Sequence, residues 1–320
     1  MMKKIHKQIF SLAAIVLAFS LFNLLIYHTF TYRCVDRYGE AMQAKSITLA
    51  EYLPFDEDSG IVRLDSDLKL TGEIPVIDGA AALYPVFSAF VNAVYPEGSV
   101  SFDGENFSAD SALQMNNTRG SYQAVVDGTV DITICAGPSE GQLAYAEENG
   151  VELTFVPIGR EAFVFLVNKK NPINGLTSEQ IRGIYTGKYT NWSELGGENK
   201  PIGALQRNEG SGSQTAMLSF MGDEKIKTDY DSFLGSAIGF SFRFYVEDVV
   251  EDGEVKMLAL DGVYPNSENI KNETYPIVNN FYAVYRTDNE NPNVEILIDW
   301  ILSEEGQFII EQTGYAGVAN

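Results

Sequence analysis

Three times in this chain a corner of small and polar residues opens onto apolar residues at helical spacing, with a short apolar run beside it. The stretches are IPVIDGAAALYPVFSAFVNAVYPEG (74–98), NNTRGSYQAVVDGTVDITICAG (116–137) and IGALQRNEGSGSQTAMLSFMG (202–222). Short strands alternating with amphipathic helices through tight corners form α/β layers, and the expected sheet is largely parallel. In the first stretch Ile74–Ile77 reads as a strand and DGAAA as the corner. Leu83, Phe87, Phe90, Val91 and Val94 then share one helical face, with Pro85 tolerated in the first turn. In the third, Met217, Phe220 and Met221 share a face. No fixed period links the three, so this is not a repeat array.

The chain has 320 residues, 45% of them hydrophobic, enough for two domains with cores of their own. With 17 Tyr and 19 Phe it is no disordered acidic tail. A formal charge of −22 argues against nucleic acid or an anionic membrane surface as partner. The N-terminus has its own character: MMKKIHKQ is basic, and Ile9 to Phe30 contains no Asp, Glu, Lys or Arg. A helix of that length spans the hydrocarbon layer of a bilayer. Lys3, Lys4 and Lys7 would hold its start in the cytoplasm. The expectation is a single-pass anchor over 1–34, with the rest of the chain on the extracytoplasmic side of the cell membrane.

Both histidines, His6 and His28, lie in this segment. The exported part therefore lacks Ser-His-Asp triads, Cys-His pairs and histidine metal sites, and no enzyme, cofactor or metal is expected. Of the two cysteines, Cys34 stands next to the membrane and Cys135 within an apolar run, where a buried thiol is expected rather than a disulfide.

Residues 35–70 are charged and irregular and read as a stalk, with local structure around Ile47–Leu53. VPIGREAFVFLVNKKNP (156–172) and YPIVNNFYAVYRTDNENP (275–292) share a texture: a Pro-containing approach, an apolar strand and a polar turn. As crossings between two lobes, they would divide the chain into 71–160 plus 280–320 and 161–279. VEILIDWILSEEGQFIIEQ (294–312) reads as a helix returning to the first lobe.

The corners carry the chemistry. A helix N-terminus leaves about four backbone N–H groups unpaired and bears a partial positive charge. Small residues let an anion approach those groups, and hydroxyls add donors. In QRNEGSGSQTAM, Gly210 and Gly212 expose backbone, Ser211 and Ser213 add hydroxyls, and Arg207 adds a planar cationic fork. No Gly-Lys-Ser/Thr follows, so this is not a Walker loop. Glu209 makes sense if the anion carries a proton, because a carboxylate can accept that hydrogen bond. Phosphate does near neutral pH, and sulfate does not. A surface Glu209 paired with Arg207 is the competing reading.

The chain resembles the phosphate-specific solute-binding proteins of ABC importers (PstS-like), of the type II periplasmic-binding-protein fold, over roughly 73–320. Arg207-x-Glu209-Gly210-Ser211-Gly212-Ser213 is similar to the family's Arg-x-Asp-Gly-Ser-Gly-Thr. The segments 159–197, SAIGFSFRFY (236–245) and EEGQFIIEQTGY (304–315) are similar as well. The resemblance implies a two-lobe α/β fold with two hinge crossovers, closing on one phosphate. It implies Arg207, Glu209, Ser211, Gly212 and Ser213 on the ligand from one lobe. From the other it implies Thr118 with Arg119 and Gly120, and backbone N–H groups of Ala81, Ala82 and Leu83. Two departures stand out: Ala80, Ala81 and Ala82 replace hydroxyl residues, and Ala136-Gly137 stands where relatives place a proton-accepting acid.

The function so implied is capture of inorganic phosphate, or a similar oxyanion, for an ABC importer permease by a monomer. The alternatives are a degenerate relative serving as oxyanion sensor or structural cell-surface protein, a binder of sulfate or another oxyanion, and, more weakly, a sugar binder using Trp192 or Trp300.

Overall fold

The structure is a computed structural model and describes residues 17–27, 47–227, 236–244, 246 and 255–318. The first corner unit opens the fold. Strand β1 (Ile77–Gly79) leads through a 3₁₀ turn at Ala81–Leu83 into helix α1 (Tyr84–Val94), with Pro85 in its first turn. The strand sits later than Ile74–Ile77, because its ladder with the next strand runs from Ile77 to Gly79. The second unit gives α2 (Asn117–Val126) and β2 (Ile132–Ala136), followed by α3 (Glu140–Glu148). One strand of 16 residues, β3 (Leu153–Asn168), comes next, then β4 (Gly175–Leu176) and α4 (Ser178–Tyr185). The third unit is β5 (Ile202–Ala204) and α5 (Gly212–Met221). Beyond it lie β6 (Ser236–Phe242), β7 (Val255–Met257), β8 (Ala259–Leu260) and α6 (Ser267–Lys271). The chain closes with β9 (Val278–Arg286), α7 (Asn293–Leu302), α8 (Glu304–Gln312) and β10 (Ala316–Gly317).

The main sheet runs β1-β2-β9-β3-β6-β5, with β7 and β10 also paired to β3, and β4 and β8 form a separate pair. It is mixed rather than largely parallel. Parallel pairs survive at its two ends, β1 with β2 and β5 with β6, where the corner units lie. The middle is antiparallel: β9 against β2 and β3, and β3 against β6 and β7. The cause is the long β3, which runs past β9 at one end and β6 at the other, each in the opposite sense.

Two large apolar clusters flank this spine. One is built on Phe87, Phe90, Ile134, Ile158, Phe281, Leu297 and Ile309. The other is built on Phe163, Phe165, Tyr185, Trp192, Met217 and Phe240.

Residues 47–70 do not stand off as a stalk. Leu49, Tyr52, Phe55 and Leu68 pack against the first cluster. The Phe55 N–H donates to Asn92 Oδ1 (2.9 Å) and the Leu70 N–H to the Val94 carbonyl (2.7 Å). This cover explains why α1 is buried on nearly every side instead of along one stripe. Residues 17–27 are helical and exposed, and among the described residues no helix is long and apolar enough to cross a membrane. The rest of the expected anchor, with Cys34 and residues 35–46, lies outside the described residues.

The expected helix over 294–312 is two helices. Ser303 is extended at the break, and its hydroxyl donates to the Trp300 carbonyl (2.6 Å).

At the crossing, the β3–β9 register shifts between Pro157 and Gly159. A Cβ on Gly159 would lie 2.2 Å from Cζ of Phe281, whose ring is buried and packs edge-on to Tyr315. Gly159→Ala is therefore expected to cost about 1–3 kcal/mol through overpacking. It would be read as a lower urea midpoint at unchanged m.

Candidate functional site

Parallel pairing points the C-terminal ends of β1 and β2 the same way, so the Ala81–Leu83 turn and Ala136 lie on one edge of the sheet. In open α/β sheets, ligands bind in the crevice outside the carboxyl ends of such strands. At this edge the N-terminus of α5 meets the corner of α2. A Cβ built on Gly212 would lie 3.3 Å from Ala136 Cβ, 3.5 Å from the Phe242 ring and 3.8 Å from Thr118 Oγ1. A side chain at 212 would require Ala136 to give way by a few tenths of an ångström. Beside it, the Arg119 methylenes lie 3.7–3.8 Å from where a Gly210 Cβ would be. Arg119, Gln123, Tyr145, Glu209 and Gly210 line a cleft of about 310 Å³ there.

The α5 N-terminus is only partly satisfied by its own chain. Ser211 caps it, accepting from the Gln214 N–H (3.2 Å), and the Thr215 N–H closes onto the Ser211 carbonyl (3.0 Å). The N–H groups of Gly212 and Ser213 come too early in the helix for an intrahelical partner. The Ser213 hydroxyl has none among the described residues. Gln214, a residue the sequence reading passed over, is buried and holds the approach, its Oε1 accepting from the Arg207 N–H (2.9 Å). The signal that could have found it is a glutamine at the third helical position facing an apolar core. Among the described residues Arg207 forms no ion pair with Glu209 or any other carboxylate. The surface-pair reading of Glu209 therefore has no support.

On the α2 side, Thr118 is half-buried and Arg119 exposed. The helix is tied to β2 by the Tyr122 hydroxyl, which donates to the Ala136 carbonyl (2.9 Å). Gly120 packs tightly beneath the corner, since a Cβ there would lie 2.9 Å from Asn116 Cβ. Of the first corner, Leu83 is buried and its N–H already donates to the Ala80 carbonyl (2.9 Å). That leaves Ala81 and Ala82 as the open backbone donors of the three. Ala136 brings a methyl group, not an acceptor, to the meeting point.

Cys135, one residue earlier, is free and fully buried between the Ser121 and Thr133 hydroxyls (3.2 Å each). Burial pushes its thiol up to about 12, so it stays protonated and packs as a small apolar group. Trp192 and Trp300 are both buried, which removes them as stacking platforms for a sugar. Among the described residues no cluster of His, Cys, Asp or Glu could hold a metal ion.

A family model described as the PBP superfamily domain matches residues 72–305. The chain belongs to the PBP superfamily. Among curated relatives, the phosphate-binding protein PstS of Borreliella burgdorferi is 22% identical over 272 residues, 77% of this chain and 90% of that one. The phosphate-binding protein PstS of Bacillus subtilis is 25% identical over 265 residues, 79% of this chain and 83% of that one. Among solved structures, one from Clostridium perfringens is described as a candidate phosphate ABC transporter substrate-binding protein with bound phosphate. It is 27% identical and has a TM-score of 0.58, covering 76% of this chain and 98% of its own. An ABC-type phosphate transport receptor from Vibrio cholerae, 20% identical with a TM-score of 0.53 over 76% of this chain and 99% of its own, shares the fold.

Proposed function

We propose that this superfamily member is a binding protein, not an enzyme, that captures inorganic phosphate between the first turns of α2 and α5 and delivers it to an ABC importer permease. The observation that carries this reading is the approach of Gly212 to Thr118 and Ala136. That approach brings the first turn of α5 close to the Thr118 hydroxyl, which suits donors that share one small anion. The names of the PstS relatives and the phosphate-bound neighbour point the same way.

In this reading Arg207, Ser211, Gly212 and Ser213 bind from one lobe (161–279). Thr118, Arg119, Gly120 and the open donors of the first corner bind from the other (71–160 with 280–320). The two apolar clusters support that division. The apolar run Ile9–Phe30 tethers a monomer to the cell membrane with the lobes outside. Glu209 accepts a hydrogen bond from the protonated phosphate oxygen.

The test is retention of radiolabelled phosphate by the full chain in detergent. Retention is expected to yield to unlabelled phosphate and to resist equimolar sulfate. Glu209→Gln is expected to let sulfate compete, by roughly the tenfold that one charge-assisted hydrogen bond is worth. Unchanged selectivity would remove the proton-acceptor role.

One observation favours a second reading, a less selective oxyanion binder that takes sulfate as well. Ala136 offers only a methyl group, so the site depends on Glu209 alone to recognise a proton. Sulfate competing equally with phosphate in the wild-type chain would decide for it.

A further inference from the structure

We infer that Asp78 is a positioning residue that holds the Asn116 side chain away from helix α2 and so leaves the first turn of that helix open to an anion. The inference rests on the phosphate reading of the site.

Asp78 is fully buried in β1, between Ile77 and Gly79. An ionised carboxylate in such a place is costly unless every lone pair is engaged. Its partners lie mostly in the second corner, 38 residues away. Oδ1 accepts from the Gly79 N–H (2.7 Å) and the Asn116 N–H (2.8 Å), and Oδ2 accepts from Asn116 Nδ2 (2.7 Å). Burial raises the Asp78 carboxyl above its ordinary value, against these three hydrogen bonds.

The consequence lies in what Asn116 does not do. Asparagine is among the strongest N-cap residues, its side-chain oxygen accepting from the first turn of the helix that follows. Asn266 does so for α6, accepting from the Asn269 N–H (2.8 Å), and Asn191 accepts from the Ser193 N–H (3.0 Å). Asn116 occupies the same position before α2 and makes no side-chain cap. Its amide donates to Asp78 instead, and Asn117, the first residue of the helix, is left-handed (φ 58°). The N–H groups of the first turn, where Thr118 and Arg119 stand, are thus withheld from the helix's own cap. Asp78 never reaches the cleft itself. It acts through Asn116.

The experiment is phosphate titration of the full chain as wild type, Asp78→Ala, Asn116→Ala and the double variant, each checked for folding by circular dichroism. Asp78→Ala frees Asn116 to cap α2 and is expected to weaken phosphate binding about tenfold, the size of one lost charge-assisted hydrogen bond. Asn116→Ala cannot cap, so adding it to Asp78→Ala is expected to restore much of that affinity, a rescue that a merely structural role would not produce. Asn116 is exposed, so its single variant tests the idea even if the Asp78 variants do not fold. It should bind phosphate within a few-fold of wild type, and a loss of tenfold or more would mean that the Asn116 side chain serves the ligand directly. Asp78→Ala binding like wild type, or a double variant no better than Asp78→Ala, overturns the inference alone. A wild-type chain without phosphate binding overturns the phosphate reading and this inference together.

Discussion

Replacing Arg207 by alanine is expected to weaken phosphate binding by about 10- to 150-fold, with the fold intact. The estimate follows from about 1.5–3 kcal/mol for a hydrogen bond to a charged group and about 1.4 kcal/mol per factor of ten. Arg207 is half-buried, its backbone is pinned by the buried Gln214, and its guanidinium has no carboxylate partner among the described residues. A cation without a carboxylate partner, its backbone held to the first turn of α5 by Gln214, is available to an anion, and removing it disturbs no internal ion pair. Arg207→Lys should recover only part of the loss, because an ammonium lacks the planar fork that meets two oxygens at once. Calorimetry on the two variants checks both statements, and Arg207→Ala within threefold of wild type would remove this residue from the ligand.

The second large effect is expected at Gly212. A single added methyl would press on Ala136 at 3.3 Å, a distance the neighbour has to relieve by shifting. The branches of valine would also reach the Phe242 ring and Thr118, which lie 3.5 and 3.8 Å from the Cβ position. Gly212→Val should therefore wedge α5 away from β2 and cut phosphate affinity by about 5- to 150-fold, the range of a 1–3 kcal/mol overpacking penalty. Gly212→Ala should do so more mildly. Because the wedge acts where the first turns meet, thermal stability should change less than affinity. A Gly212→Val chain that binds as wild type would show that the close approach plays no part in binding.

The sequence made the corner units legible because each is local. Strand, small-residue corner and helix follow within about 20 residues, and the Arg207–Ser213 stretch carries its chemistry in contiguous side chains. What it hid depends on contacts distant along the chain. The antiparallel spine requires β3 to pair with β9 and β6, partners that periodicity within one segment cannot reveal. The cover of α1 by residues 47–70 rests on apolar side chains spread too irregularly to form a pattern. The break at Ser303 was masked by apolar residues that keep helical spacing on both sides of it. At the site, the use of the Leu83 N–H by Ala80 is a detail of turn geometry. The bond from Asp78 to Asn116 joins two corners that the sequence presents as independent, although an aspartate inside an apolar strand was a signal to ask for its partner.

Whether the first turns of α2 and α5 hold an oxyanion is tested directly by calorimetric titration of the full chain, stripped of phosphate by dialysis. The expected result is saturable binding of one phosphate per chain at submillimolar affinity, with sulfate weaker. A folded, ligand-free chain that gives no heat with phosphate, sulfate or any other oxyanion would contradict it.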